Sequence, residues 1–529
     1  MSDGSADYVV VGAGTAGCVL AARLSADPDV RVALLELGGK DSNPAIWDKS
    51  LNAMFGLWDP KGAENWGYAT VPQPGLAGRS IDIARGKVLG GSSAVNAKIY
   101  IRGNRRDFDG WARSGNQAWS YEEVLPYFMK SETYHGPSSP YRGNDGPISI
   151  IDYQNPSVVG HAFVEAAATL GATQKYNDFN GADQEAGAGF YQSTRTPDGV
   201  RATAASAFLE PNLGRPNLQL LSQVRATRLV LENGAVRGVE YAGPDGLQTV
   251  WAEREVVLCC GAFETPKLMM LSGLGPAADL AAHDVTVVQD LPGVGRNLQD
   301  HLLLGVGYES LVPLDPPELL AEGGLFTWTG TAPDQDSPDL QYFFGPVQFV
   351  APEYMTSGPG FTFAPILVQP QSRGTVTLAS SDPADRARLD PQYLSAQEDL
   401  AVLEYGIRYA RELVHTAAFD KLRGRELAPG EAVTSSSELG DYIRKVAGTV
   451  WHPVGTCRMG ADPEAVVDDR LRVHGVEGLR IADASVMPRV VNGNPNAAVM
   501  MIAEKAADLI CSEQDPTASG SSSTRVGSR

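Results

Sequence analysis

The chain has 529 residues, of which 43% are hydrophobic, and its 63 acidic against 43 basic residues give a net charge of −20. This length predicts two interleaved domains with sizeable cores, whereas the negative charge argues against nucleic acids and membrane surfaces as partners. Five cysteines without a metal-ligand spacing, and no apolar run near the roughly 20 residues that span a bilayer, predict buried thiols, no metal and no membrane span. Since the first residues also lack a leader pattern, we expect a cytoplasmic protein.

The first predicted unit, residues 7–36, contains a strand, a glycine turn, a helix and a second strand. Its turn reads Gly12-Ala13-Gly14-Thr15-Ala16-Gly17, and its second strand ends at Glu36. Gly12 permits the tight turn, Gly14 lets the backbone approach a pyrophosphate, and Gly17 lets the helix lie close to the strand. The carboxylate of Glu36 can accept both ribose hydroxyls and would repel a 2′-phosphate. The unit therefore predicts an unphosphorylated adenosine dinucleotide, either NAD or FAD.

A second glycine loop, residues 85–96, follows a tryptophan-bearing stretch over residues 42–73 that we expect to form an ordered loop. The glycine loop reads Arg85-Gly86-Lys87-Val88-Leu89-Gly90-Gly91-Ser92-Ser93-Ala94-Val95-Asn96. Its backbone amides, its cations and the Asn96 amide can wrap a pyrophosphate or a flat ring. Since one dinucleotide site needs a second glycine loop only for a long ligand, this loop favours an extended cofactor.

The rest of the chain supplies further strands, a long helix and the candidate catalytic residues. Residues 218–221 and 256–262 have the pattern of buried strands, residues 373–378 alternate as a strand does, and residues 398–417 have helical periodicity. His452 precedes Pro453 and a Gly-Thr turn, and Asn494 lies beyond a strand ending at Asp483. From position alone, His452 is either a hydrogen-bonded core residue or a catalyst. Residues 513–529 are rich in Ser, Thr and Gly without an apolar anchor, which predicts a disordered tail.

Three ordered segments resemble the signatures of the glucose-methanol-choline (GMC) family of FAD-dependent oxidoreductases. They are residues 86–109, residues 261–275, and the segment from Trp451 to Gly460 together with Asp483 and Asn494-Pro495-Asn496. The resemblance implies FAD rather than NAD, and an α/β Rossmann-type FAD-binding domain interleaved with an α+β substrate-binding domain that carries an antiparallel sheet. The expected FAD-binding domain takes residues 1–150, 189–302 and 449–512, and the expected substrate-binding domain takes residues 151–188 and 303–448.

The resemblance also implies the roles of individual residues. His452 would accept the proton of an alcohol while hydride leaves for flavin N5, and Asn494 would donate a hydrogen bond to the substrate oxygen. The N-terminus of a helix that starts near Asn496 would face the flavin and stabilise its anionic reduced form. The residues expected to bind the cofactor are Gly12, Gly14, Thr15, Ala16, Gly17, Glu36, Trp66, Arg85, Val88, Gly91, Val95, Asn96, Ala97, Val224, Trp451, Asp483, Ala484, Pro495 and Asn496.

Two departures from the pattern of choline oxidase within this family bear on the cofactor and the substrate. Val95 stands where that member carries the histidine that tethers FAD covalently, so the FAD is expected to be non-covalent. Leu303 stands where it carries a glutamate facing the trimethylammonium group, and burying a cation without that partner would be costly. Leu303, Phe344, Phe349 and Trp451 predict an apolar substrate pocket, unless the aromatic side chains belong only to the core.

The sequence therefore predicts FAD-dependent oxidation of a neutral primary alcohol, benzylic, furanic or aliphatic, to the aldehyde. The short spacing from His301 to Arg373 resembles that of choline oxidase, and Val450 matches a position that lines the oxygen side of that enzyme. This resemblance favours O2 as the acceptor, which would be reduced to H2O2. A quinone- or dye-linked alcohol dehydrogenase and a choline-type oxidase are the alternatives. A hydroxynitrile lyase with FAD as a spectator, and a non-catalytic FAD-binding protein, are alternatives from other classes. Bleaching of the flavin by an alcohol under anaerobic conditions would separate the oxidoreductase from both.

Overall fold

The structure is a computed structural model that describes residues 4–331 and 336–513. The predicted tail therefore lies outside the described residues, apart from Glu513. In the described ranges, no helix is both long and apolar enough to cross a membrane.

The helices range from single turns to more than four turns. Within the described residues the α-helices are Thr15–Leu24, Pro44–Trp47, Leu51–Leu57, Arg105–Arg113, Tyr121–Ser131, Val158–Thr169, Gly261–Leu271, Ala277–Ala281, Gln397–Val414, Ser436–Val446 and Asn496–Ser512. Shorter helical turns are Pro74–Leu76, Gly91–Ala94, Gln117–Trp119, Ala205–Leu209, Glu210–Asn212, Pro352–Tyr354, Ala417–Phe419 and Ala484–Val486. The helix predicted at residues 398–417 is Gln397–Val414, whose buried side chains recur at three- and four-residue steps along one face.

The first sheet is built on the predicted glycine-turn unit. In spatial order its strands are Leu218–Ser222, Val32–Glu36, Ser5–Val11, Gly246–Leu258, Ala235–Gly243 and Arg225–Glu232, and Leu479–Ile481 also pairs with Gly246–Leu258. The strand Ser5–Val11 pairs in parallel with both of its neighbours. It is buried along almost its whole length, as a strand covered on both faces is. The carboxyl ends of these parallel strands therefore meet at one edge, beside the turn at Gly12.

The second sheet is antiparallel apart from its last pair. In spatial order its strands are Arg423–Ala428, Val306–Ser310, Gly360–Leu367, Leu340–Gly345, Gly323–Thr327, Gly187–Phe190 and Gln174–Lys175, and Leu302–Leu303 pairs with both Gly360–Leu367 and Gly448–Thr449. One face packs on the helices Val158–Thr169 and Gln397–Val414. The other face contributes apolar side chains to an interior that it shares with the first domain.

Short two-strand pairs complete the fold. They are Ile99–Tyr100 with Gln192–Ser193, Leu274–Gly275 with Gln289–Asp290, Thr375–Thr377 with Arg388–Asp390, Tyr68–Ala69 with Asp82–Ile83, and Glu132–Tyr134 with Ile148–Ile150. The strand predicted at residues 373–378 is therefore present, in one of these pairs rather than in the second sheet. The stretch 42–73 is not a loop throughout, because Asn43 and Ser50 cap two short helices within it.

Three of the expected domain boundaries fall inside strands of the second sheet. The boundaries at 188/189, 302/303 and 448/449 divide the strands Gly187–Phe190, Leu302–Leu303 and Gly448–Thr449. With these expected boundaries, the chain would cross between the domains within paired strands rather than in loops.

The C-terminal helix Asn496–Ser512 lies beside the first helix, Thr15–Leu24, in the core of the first domain. Arg23 donates two hydrogen bonds, of 2.9 and 2.7 Å, to the carboxylate of Glu504. Thr15 Oγ1 donates to Asn496 Oδ1 at 2.8 Å. The two helices thus run in the same direction, and their N-termini open side by side on one cavity.

Candidate active site

One elongated cavity between the two domains gathers most of the predicted cofactor residues. Its lining includes Gly12, Gly14, Thr15, Ala16, Glu36, Trp66, Arg85, Gly91, Val95, Asn96, Ala97, Val224, Trp451, Asp483, Ala484, Pro495 and Asn496. Gly17 and Val88 lie outside the lining. Gly17 packs on the backbone of Gly12, and Val88 lies in a small core with Ile46 and Leu57. The contact of these two residues with the cofactor stays a prediction, and in the structure both have a packing role.

Glu36 lies at one end of the cavity, where its strand ends. Its carboxylate accepts hydrogen bonds from the backbone amides of Ala13 (2.8 Å) and Gly38 (2.7 Å). Burial raises the pKa of this carboxyl group, and the two amides oppose that rise. The remaining lone pairs of the carboxylate can accept from ribose hydroxyls. Val224 lies beside it, and its backbone amide donates to the Glu36 carbonyl at 3.0 Å.

The two glycine loops touch each other in the middle of the cavity. The amide of Gly90 donates to the carbonyl of Ala13 at 2.9 Å, and a Cβ added to Gly91 would lie 2.7 Å from Gly14 Cα. A Cβ added to Gly14 would meet no protein atom closer than 4.0 Å. The first helix begins beside this open space with backbone amides that have no intrahelical partner. This arrangement fits the pyrophosphate of a dinucleotide.

His452 and Asn494 meet at the other end of the cavity. His452 Nε2 lies 3.1 Å from Asn494 Nδ2, and His452 Nδ1 lies 3.0 Å from Nδ1 of His301. The His452 ring is buried, and desolvation, followed by the electrostatic interactions with His301 and Arg85, holds its pKa well below the ordinary value of 6.5. A neutral imidazole with a free lone pair is what a general base needs at physiological pH.

Two adjacent residues, Asp300 and His301, form hydrogen bonds that position His452. Asp300 Oδ1 accepts from the backbone amides of both His301 (3.0 Å) and His452 (2.7 Å), while its other oxygen accepts from two hydroxyl groups. His301 is fully buried, and its Nε2 lies 3.1 Å from the carbonyl oxygen of Val368. Burial lowers the pKa of His301 to about 3. Sequence reasoning missed both residues as parts of the site, because no local pattern marks them as neighbours of His452.

The backbone immediately before His452 is strained and held on both sides. Trp451 has a φ of 60°, in the left-handed region that a bulky side chain rarely adopts. Arg85 donates to the Trp451 carbonyl at 2.8 Å, and Thr449 Oγ1 accepts from the Trp451 amide at 2.7 Å. Strain of this kind persists where surrounding contacts fix it. Here those contacts set the direction in which the chain presents the His452 ring.

Apolar side chains form the wall at the His452 end of the cavity. Of the predicted pocket residues, Leu303, Phe349 and Trp451 line it, and so do Leu320, Phe343 and Val450, of which Leu320 and Phe343 were not predicted. Phe344 does not line it, because it is fully buried on the opposite face of its strand and stacks on Phe163 with ring centroids 4.7 Å apart. Side chains alternate along a strand, so the neighbouring Phe343 takes the place predicted for Phe344.

Lys98 is a charged residue of the cavity wall that sequence reasoning also missed. It is 2% exposed, has a φ of 66°, and lies between the lining residues Ala97 and Ile99. Burial, followed by the charges of Arg201 and Arg195, lowers the pKa of its ammonium group to about 8. The acidic residues that line the cavity are Glu36, Glu264 and Asp483, and none of them belongs to the apolar wall.

Comparison with known proteins finds relatives of one family over most of the chain. The family model of the GMC oxidoreductases matches residues 6–303 and 370–503. A Pseudomonas putida protein named alcohol dehydrogenase (acceptor) is 40% identical over 540 residues, which cover 96% of each chain. An oxygen-dependent choline dehydrogenase of Brucella anthropi is 39% identical over 532 residues, which cover 96% of this chain and 95% of that protein. The crystal structure of pyridoxine 4-oxidase from Mesorbium loti has a TM-score of 0.87 and 36% identity, and the match covers 95% of this chain and 98% of that one.

Family membership implies FAD as the cofactor, and the residues present fit it. The cavity runs from Glu36 along both glycine loops to His452, as an extended dinucleotide requires. Within the described residues, Asn494 Oδ1 is buried without a hydrogen-bond partner, which suits a group that faces a bound ligand. The sequence match and the site together make this chain an oxidoreductase, and it belongs to the GMC oxidoreductase family.

Proposed function

We propose that the protein oxidises neutral primary alcohols to aldehydes, with benzylic, furanic or aliphatic alcohols as the substrate class. The observation that carries the proposal is the pair of His452 Nε2 and Asn494 Nδ2, 3.1 Å apart, at the apolar end of a cavity that fits FAD. The final acceptor is O2, which takes the two electrons and two protons of the alcohol and leaves as H2O2. Val450 lines the cavity and matches a position that lines the oxygen side of choline oxidase, and this resemblance supports the choice of O2.

His452 and Asn494 act on the same hydroxyl group. A substrate hydroxyl that lies within hydrogen-bond distance of both side chains would replace their contact with each other: its O–H donates to His452 Nε2, which accepts the proton, while the Asn494 amide donates to the oxygen as it gains negative charge. When bound, FAD supplies the acceptor for the hydride that leaves the carbinol carbon. Arg85 and Asp300 keep the backbone around His452 in place, through hydrogen bonds to the Trp451 carbonyl and the His452 amide.

The FAD is held without a covalent bond in this proposal. Val95 lines the cavity at the position where the resemblance would put a tethering histidine, and its alkyl side chain has no atom that can form such a bond. Glu36 would hold the ribose of the nucleotide, Gly14 and Gly91 would hold the pyrophosphate, and the helix that begins at Asn496 would face the flavin.

Charge restricts the substrate class. A quaternary ammonium substrate would meet Leu303, which carries no negative charge, at the apolar end of the cavity. Burying a cation there without a partner is costly. Neutral alcohols of the same shape avoid this cost, so we infer a different preference from that of the relative named for choline.

The test compares choline with 3,3-dimethylbutan-1-ol, a neutral alcohol in which carbon replaces the ammonium nitrogen. We expect H2O2 release from the purified holoenzyme with this alcohol, benzyl alcohol, hydroxymethylfurfural and hexanol. We expect kcat/KM for the neutral isostere to exceed that for choline at least about tenfold, equivalent to roughly 1.4 kcal/mol. A dye acceptor run in parallel measures turnover that does not use O2.

The other outcomes of this test are distinct. Turnover with the dye alone would replace O2 by another acceptor, such as a quinone; the Pseudomonas putida relative is named for an acceptor that its name does not specify. Choline as the best substrate would contradict the charge argument. A flavin that none of these alcohols bleaches under anaerobic conditions would contradict alcohol oxidation and favour a lyase or a binding role.

The pH dependence of flavin reduction should follow the neutral state of His452. Because burial, His301 and Arg85 hold its pKa below 6.5, the base stays deprotonated in neutral and mildly acidic buffer. We expect the rate constant for anaerobic reduction by an alcohol to stay level from about pH 8 to about pH 6.5, and to fall only below that as His452 gains a proton. Rapid mixing across this pH range measures it, and an acid limb with a midpoint above about pH 7 would contradict the prediction.

A further inference from the structure

Only one tautomer of His452 can act as the base. A neutral histidine carries its proton on either Nδ1 or Nε2, and the bare nitrogen is the one that accepts a proton. Nε2 is the nitrogen on the Asn494 side of the ring, at the apolar end of the cavity. The active tautomer therefore carries its proton on Nδ1, a requirement that rests on the proposed function.

The carbonyl oxygen of Val368 fixes the protons of both histidine rings, because a carbonyl can only accept. His301 Nε2 lies 3.1 Å from this oxygen and therefore carries a proton. His301 is neutral in ordinary buffers, since burial lowers its pKa to about 3, so its Nδ1 is bare. His452 Nδ1 lies 3.0 Å from that bare nitrogen and must be the donor. The lone pair of His452 is then left on Nε2.

We propose that His301 is a positioning residue that holds His452 in the Nδ1-protonated tautomer and so directs the Nε2 lone pair at the substrate. The reverse arrangement would set two bare nitrogens against each other 3.0 Å apart, or a bare His301 nitrogen against the Val368 carbonyl. Both rings are buried, at 0% and 7% exposure, so such mismatched contacts would be costly. Asp300 accepts hydrogen bonds from the backbone amides of both histidines, which fixes the position of one residue relative to the other.

The acceptor that His301 offers is neutral. The charged groups packed beside the pair are Asp300, which bonds to backbone amides and hydroxyl groups, and Arg85, which bonds to the Trp451 carbonyl. Neither of them bonds to an imidazole nitrogen. His301 thus selects a tautomer without placing a negative charge against the base. Since the two neutral tautomers hold the same number of protons, loss of His301 should lower the rate equally at every pH at which His452 is neutral.

Nitrogen-15 NMR of histidine-labelled holoenzyme tests the tautomers without any substrate, because protonated and bare ring nitrogens differ in chemical shift. We expect His452 to have a protonated Nδ1 and a bare Nε2, and His301 the reverse, with the signals assigned from the spectra of variants at each position. A protonated Nε2 on His452 at about pH 7.5 would overturn the proposal. This result stands whether or not an alcohol reduces the flavin, so failure of this inference is distinguishable from failure of the proposed function.

Two substitutions test the catalytic consequence. His301→Leu removes the acceptor, His301→Asn keeps an oxygen acceptor close to the position of Nδ1, and His415→Leu is the control at an exposed histidine. We expect His301→Leu to slow flavin reduction at least about tenfold at every pH at which His452 is neutral, with little change in KM. His301→Asn should recover most of this loss, and His415→Leu should match the wild type.

Three results with the His301 variants would contradict the proposal. Reduction by His301→Leu within about twofold of the wild-type rate would overturn the proposal, and so would a loss that appears only as a shifted acid limb. If His301→Leu fails to fold, His301→Asn decides the question. A loss of about a hundredfold in that variant, in which the acceptor is kept, would show that tautomer selection is not what His301 provides.

Discussion

Replacing His452 with alanine is expected to leave FAD bound and to slow flavin reduction by an alcohol at least about a hundredfold, the lower range for losing a general base. The alcohol hydroxyl has a pKa far above neutral, so it does not ionise unless a nearby group takes its proton. His452 Nε2 is the bare ring nitrogen beside Asn494, and alanine removes it without touching the glycine loops that hold the nucleotide. Anaerobic rapid mixing with benzyl alcohol, followed through the flavin absorbance, measures the effect.

A matched control separates chemistry from folding. His135→Ala makes the same change at an exposed histidine and should reduce at the wild-type rate. Flavin content and the rate of reoxidation by O2 after chemical reduction should be unchanged in both variants. Unimpaired reduction in His452→Ala would remove this residue from the mechanism, and loss of FAD from the variant would mean that His452 serves binding instead.

The nucleotide end of the site could be predicted because its parts are close together in the chain. The turn at Gly12 and the acid Glu36 belong to one strand-helix-strand unit, and each part has a local reason to be where it is. The structure places Glu36 at the end of its strand, with its carboxylate on the amides of Ala13 and Gly38. Residue order alone was enough to infer this arrangement, since the unit folds on itself.

The other end of the site depends on contacts that residue order does not reveal. His301 and His452 are 151 positions apart, and they are brought together by the pairing of Leu302–Leu303 with Gly448–Thr449 and by the bridge between Gln299 and Val454. Phe343 and Phe344 are equally aromatic, and the register of their strand in the second sheet decides which one faces the cavity. Lys98 was overlooked for the same reason, because burial of a lysine depends on what packs over it.

Gly17 and Gly14 should respond differently to replacement by alanine: the change at Gly17 should lower folding stability, and the change at Gly14 should weaken FAD binding. A Cβ on Gly17 would lie 1.8 Å from the carbonyl oxygen of Gly12, a backbone atom that cannot move without opening the turn. We expect Gly17→Ala to lower the free energy of unfolding by about 3 kcal/mol or more, because a buried position with no space must shift its backbone. Thermal unfolding of the purified protein, with and without added FAD, measures this loss.

Gly14→Ala is the matched variant, since its Cβ would meet no protein atom closer than 4.0 Å and would point into the space that fits the pyrophosphate. The chain should therefore fold with near wild-type stability in the absence of FAD and bind FAD at least about tenfold more weakly, equivalent to roughly 1.4 kcal/mol of binding free energy. Fluorescence titration of the apoprotein with FAD gives the Kd. Equal destabilisation of both variants in the absence of FAD would mean that Gly14, like Gly17, is needed for packing. Normal FAD affinity in Gly14→Ala would mean that the pyrophosphate passes elsewhere, because a side chain cannot share the approach that glycine leaves open for the phosphates.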